Sequence, residues 1–263
     1  MALKNDSAKL FSSGVPVEVI NRLLSLPLPV ESLNCRPGNT IYVEDDEKWG
    51  KARLGQVMVY FDRAHAQAEL DKRLGPQNWS VQFTPIEHKE MLDPITKVTK
   101  CSATVKCTLT VKTTTGTLIR EDFGEQEIQL VLEGQPAQEG NKDYKYVKFE
   151  KQQFNANGDP LLKLSNIRRK SPGQSDVTKS AASDAFRRAC AALGLGRQYY
   201  MPSKEVYHPV SNWGGFLFGK QDGKEYGSKQ ELLGRLGYTL KQETIDAQID
   251  TILDEISQTA AKK

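Results

Sequence analysis

Little in this chain points toward covalent chemistry, metals or membranes. No apolar run approaches the ~20 residues that a membrane-spanning helix requires. The four cysteines, Cys35, Cys101, Cys107 and Cys190, show no CxxC spacing. That pattern argues against a zinc ribbon or a redox pair, and for reduced, buried thiols in a cytosolic compartment. Histidine is scarcer still: His65, His88 and His208 stand far apart, with no HExxH or other ligand spacing. A GxxxxGK[ST] loop is absent, so ATP hydrolysis through a phosphate cradle is not expected. Met1 to Ser12 lacks the apolar core of a secretory signal and carries only two lysines and one aspartate. The expectation is a cytoplasmic protein, nucleoid-associated if bacterial, that uses no cofactor.

Net charge is also small, at +3, so only its distribution can speak about partners. That distribution is segregated. Glu121 to Gly140 holds six acidic residues and no basic one, whereas Asn141 to Lys170 holds eight basic residues against three acids. In the basic stretch Lys145 and Lys148 alternate with Tyr144, Tyr146 and Phe149, and Arg168-Arg169-Lys170 follows. Cations interleaved with aromatics suit single-stranded nucleic acid; packing of those aromatics in a core is the competing reading.

The periodicities predict an α+β chain. Val17 to Leu24 is amphipathic, and Pro27 and Pro29 end it. Thr40 to Val43 and Gln56 to Phe61 read as extended. Asp62 is a candidate N-cap for a helix closed by Gly75-Pro76. Three long strands follow: Trp79 to Glu90, Val98 to Lys112, and Thr117 to about Leu130. In the second, Cys101, Ala103, Val105, Cys107, Leu109 and Val111 alternate with polar residues, among them Lys100, Lys106 and Lys112. An antiparallel three-stranded meander with one wet face, packed by helices on the other, is the expected core. A helix from about Asp176 to Leu193 places Phe186, Ala189, Cys190 and Leu193 on one buried stripe, and Gly194 stops it. Beyond residue 200, a capping box at Ser228 to Glu231 and an apolar stripe from Ile245 to Ile256 predict a small helical C-terminal module. Its Asp246, Asp250, Asp254 and Glu255 are expected on the polar side. The domain reading is residues 1–38 as N-terminal helix and linker, 39–200 as core with a basic insertion at 131–174, and 201–263 as linker and C-terminal module.

One segment carries more than periodicity. Ala182-Ser183-Asp184-Ala185-Phe186-Arg187-Arg188-Ala189, followed by Leu193-Gly194-Leu195-Gly196, resembles the signature helix of the single-strand annealing proteins of the Rad-fifty-two superfamily, including its phage and mitochondrial-genome-maintenance branches. Val57 to Trp79, ending in Leu74-Gly75-Pro76-Gln77-Asn78-Trp79, is similar to the family's first core helix. Arg120 to Gly124 is similar to its third strand. The likeness covers about residues 39–130 and 175–200; the 131–174 insertion and the C-terminal module depart from the pattern. The resemblance implies a β-β-β-α core assembled into a homo-oligomeric ring or arc. It also implies ATP-independent annealing of complementary strands in recombinational DNA repair, with a recombinase or a single-strand-binding protein as partner through the C-terminal module. By the same resemblance Arg187, Arg188 and Arg53 would contact single-stranded DNA. Lys100, Lys106, Lys112, Lys145, Lys148, Arg168 and Arg169 are candidates for secondary contacts. Two rival readings remain at this point: a metal-dependent nuclease using Asp122, Glu125 and Glu127, and a sequence-tolerant RNA-binding or chaperone module.

Overall fold

The computed structural model describes residues 7–92, 99–130, 132–134, 167–169, 174–200, 205–211, 215–221 and 223–261. In its first half, helices α1 (Ser7–Leu10) and α2 (Val17–Ser25) precede a hairpin of β1 (Leu33–Asp46) and β2 (Gly50–Phe61), and α3 (Arg63–Leu74) follows. Next come β3 (Trp79–Leu92), β4 (Thr99–Thr113), β5 (Gly116–Leu130), the short β6 (Leu132–Gly134) and β7 (Ile167–Arg169), and then α4 (Gln174–Leu193). Strand β8 (Tyr207–Pro209) and helices α5 (Lys229–Arg235) and α6 (Gln242–Ala261) complete the labelled elements. The fold is α+β, as its periodicities predict. Two compact units divide it: residues 1–81, 108–121 and 187–263 form one, and 82–107 and 122–186 the other.

In the first unit the β1–β2 hairpin is longer than the two short runs suggested. Its register pairs Asn34 with Tyr60, Arg36 with Met58 and Tyr42 with Arg53, with a bulge between Pro37 and Thr40. Pro37 and Gly38 hide this strand from propensity reading; the bulge accommodates both residues. Strand β8 adds to the other edge of β2, pairing Leu54 with Pro209 and Gln56 with Tyr207. The sheet order is therefore β1-β2-β8, a second sheet that periodicity alone does not predict. Asp62 occupies the N-cap of α3 without a capping hydrogen bond; its carboxylate instead accepts from Asn34 Nδ2 at 3.0 Å.

Arg73 ties α3 to the end of α2. It is fully buried, with Nε donating to Glu69 Oε2 at 2.8 Å. Its terminal nitrogens donate to the carbonyls of Leu23, Leu26 and Pro27 at 2.9–3.0 Å. A helix C-terminus leaves carbonyls without intrahelical partners. The arginine fork supplies those donors while Glu69 balances its charge.

The C-terminal helices belong to this same compact unit. Leu232 and Leu236 pack with Val57 and Val206, flanked by Cys35, Val59, Phe216, Phe218 and Tyr238. The capping box is present: Ser228 Oγ accepts from Glu231 N and Glu231 accepts from Ser228 N. One expectation for α6 is corrected. Asp246 is buried rather than on the polar side, pairing with Lys72 of α3 and accepting from Gln242 Nε2 at 2.7 Å. Glu255 is likewise engaged, with Arg22 of α2 at 2.7 Å. The same chain turn that aligns Ile245 and Ile249 toward the core carries Asp246 to its margin.

The meander has the order β3-β4-β5, and residues 82–107 and 122–130 of it belong to the second unit. Cys101, Ala103 and Val105 of β4 pack with Val177 and Ala181 of α4, beside Phe83 and Ala182. Small residues let α4 lie close on the sheet, and Gly124 of β5 shows how close. A Cβ there would fall 2.1 Å from the Ala181 carbonyl oxygen and 2.3 Å from Ala185 N. Only glycine permits that approach.

Candidate nucleic-acid interface

Arg187 and Arg188 sit in the C-terminal half of α4. Ala189, Cys190 and Leu193, on the same helix, are buried, and Gly194 stops it with φ of +129°. The Gly194 and Leu195 amides both donate to Cys190 O, at 3.0 and 2.9 Å. Residues beside such a buried stripe have little freedom to move as backbone. Arg188 is exposed and Arg187 half-buried. The Arg187 guanidinium carbon lies 5.8 Å from the ring centroid of Tyr60 on β2, within cation–π range. Tyr60 thus orients one arginine of the pair over the hairpin.

Arg53 does not join them. Alternation along β2 places residue 53 with Gly55 and Val57, on the side opposite Tyr60. That side is the one covered by the C-terminal segment: a Cβ on Gly55 would meet Val210 and Phe216. Arg53 is exposed and donates from Nη2 to Thr40 Oγ1 at 3.2 Å. The sequence likeness at this arginine says nothing about the parity of the strand, which is what separates it from Tyr60.

The candidate lysines of β4 differ in their placement. Lys112 is exposed and Lys106 half-buried; the side chain of Lys100 lies outside the described residues. Thr108, between Lys106 and Lys112 on their side of β4, donates to Glu121 Oε1 of β5 at 2.7 Å. That surface therefore carries acid as well as lysine. Lys145 and Lys148 lie outside the described residues, as do the aromatics that alternate with them. Arg168 and Arg169 pair in β7 with Glu133 and Leu132 of β6; their side chains are outside the described part.

The carboxylates of the nuclease reading point in two directions. Glu125 and Glu127 are exposed on one side of β5. Asp122 shares the parity of Gly124, the side that abuts α4, and its Oδ1 accepts from Phe123 N at 2.8 Å. Among the described residues no group of three His, Cys, Asp or Glu side chains is gathered for a metal. Cys101 Sγ and His88 Nε2 lie 3.3 Å apart, a pairing that in an open cleft would suggest a nucleophile. Here the thiol is buried, and burial, then the nearby Glu90 charge, push its pKa up. A protonated, enclosed thiol is a packing group.

A further aromatic cluster surrounds His208, which is buried. Its ring stacks on Phe218 at 5.3 Å and meets Trp49 and Phe216 edge-on at 5.9 and 5.6 Å. Nε2 donates to Leu217 O at 2.6 Å, and Nδ1 is buried with no hydrogen-bond partner among the described residues. Burial, with the charges of Arg235 and Lys48, holds its pKa below the ordinary value, while the Leu217 hydrogen bond acts the other way. It is a neutral structural histidine that pins the C-terminal segment to the hairpin. Among the described residues no helix is long and apolar enough to cross a membrane.

No family model matches the chain, and no curated protein matches it significantly.

Proposed function

We propose that this protein binds single-stranded DNA and anneals complementary strands without ATP, as a non-catalytic homo-oligomer acting in recombinational repair. The observation that carries the reading is the adjacent Arg187–Arg188 pair beside a buried helix stripe, one guanidinium held over Tyr60. Two permanent charges on a rigid element suit phosphates, whose capture needs position more than chemistry. Annealing further requires that base edges stay free to pair, and backbone capture leaves them so. The resemblance of the α4 segment to annealing proteins points the same way. The nuclease reading is not supported, because its three carboxylates divide between two sides of one strand.

Assembly beyond a tetramer is part of the proposal. Among the described residues, strands β3 and β5 are the edges of their sheet, and each spans 14 or 15 residues. They carry exposed Ile86 and Met91, and Ile119 and Phe123, each at least 50% accessible. Long edges with apolar side chains call for cover by a neighbour. The test is an annealing assay with complementary oligonucleotides, with and without magnesium or manganese, alongside mass photometry. Accelerated annealing by a large assembly, with both strands intact, is expected; cleavage, or a monomer at micromolar concentration, would refute the respective part.

A further inference from the structure

The β1–β2 register brings a cation to the Tyr60 side of the hairpin that the sequence signature does not mark. Asn34 stands opposite Tyr60, and Arg36 stands opposite Met58. Cross-strand partners share a side, and so do residues two apart. Arg36, Met58 and Tyr60 therefore belong to one side of the hairpin, with Arg36 diagonal to Tyr60, a separation of about 7–8 Å between backbones. This is the side on which Arg187 lies over the Tyr60 ring.

Arg36 is exposed, and among the described residues it has neither a carboxylate partner nor a hydrogen bond. The other cations of the hairpin are differently placed. Lys51 lies 3.9 Å from Glu44, and Arg53 bonds Thr40 on the opposite side. A permanently charged fork that is unneutralised in the protein retains its capacity for an external anion. Met58, half-buried opposite it, gives the surface between Arg36 and Tyr60 an uncharged floor.

We propose that Arg36 is a phosphate-contact residue, and that a single strand held at Arg187 continues across the Tyr60 side of the hairpin to Arg36. The ligand class is a phosphodiester backbone; the inference rests on the proposed single-strand binding and extends its path. It separates Arg36 from Arg53 by strand parity, so the two arginines should behave differently.

The experiment measures binding of fluorescent oligo-deoxythymidylate by the full chain over a range of salt concentrations. Arg36→Ala is expected to make the log-affinity against log-salt slope shallower by about 0.7, one contact on a single strand. Arg36→Lys should retain the slope, Arg36→Glu should weaken binding further, and Arg53→Ala should match the parent. Since Arg36 is exposed, the alanine variant should melt as the parent does; a lowered melting temperature would make Arg36 a folding residue and overturn the inference. Parental slopes in both Arg36→Ala and Arg36→Glu, with a shallower slope in Arg187→Ala, would overturn it while leaving single-strand binding intact. A parent chain with no salt-dependent binding would remove the functional reading and the inference together.

Discussion

The guanidinium of Arg187 lies 5.8 Å from the ring centroid of Tyr60, so a helix of the candidate interface is coupled to a strand far from it in sequence. Tyr60 acts here as a positioning residue: its ring holds the arginine, and its hydroxyl is not needed for that. Tyr60→Phe is expected to bind oligo-deoxythymidylate as the parent does. Tyr60→Leu should lose about two- to fivefold in affinity, the worth of an exposed cation–π contact of about 0.5–1 kcal/mol. Equal affinity of the Leu and Phe variants would show that the ring contact does not position the arginine.

Arg73 is expected to matter for stability and not for binding. Replacing it with Met would strand the Glu69 carboxylate and leave the carbonyls of Leu23, Leu26 and Pro27 without their donors. Breaking a buried pair from one side costs about 3–5 kcal/mol. Urea unfolding of Arg73→Met should show a loss of that order. A change below about 1 kcal/mol would mean the site relaxes or admits water.

The His208 cluster makes a pH prediction with a definite sign. Its folded pKa lies below the ordinary histidine value, so the folded state binds fewer protons than the unfolded one. Its stabilising contribution is present above the unfolded value of about 6.5 and is lost as pH falls through the folded value. The melting temperature should therefore drop as pH falls from neutral into the acid range. His208→Phe, which cannot protonate, should show a shallower drop over that interval. Identical pH dependence in both proteins would assign the effect to other groups.

Much of strand β4 was legible in the sequence, because one-sided burial imposes a period. Cys101 to Val111 alternate as written, and each residue of the apolar set is buried. The α4 stripe and the Ser228–Glu231 capping box follow from similarly local rules. The β1–β2 hairpin was harder to read: Pro37, Gly38 and the polar residues around them obscure its alternation, and only the partner strand fixes the register. Asp246 is not legible locally: an acidic residue beside an apolar stripe looks solvated until Lys72, 174 residues earlier, is brought to it. The placement of Arg36 is hidden for the same reason. The residue belongs to no motif, and its relation to Tyr60 exists only across the strand pair.

The most direct measurement is the salt dependence of single-strand binding by Arg187→Ala/Arg188→Ala, made on protein whose assembly size and melting temperature have been checked. Loss of two phosphate contacts should flatten the slope by about 1.4 and abolish annealing, with assembly and melting nearly unchanged. A correctly assembled double variant that keeps the parental affinity and slope would contradict the central claim, and one that unfolds or dissociates would make the two arginines structural.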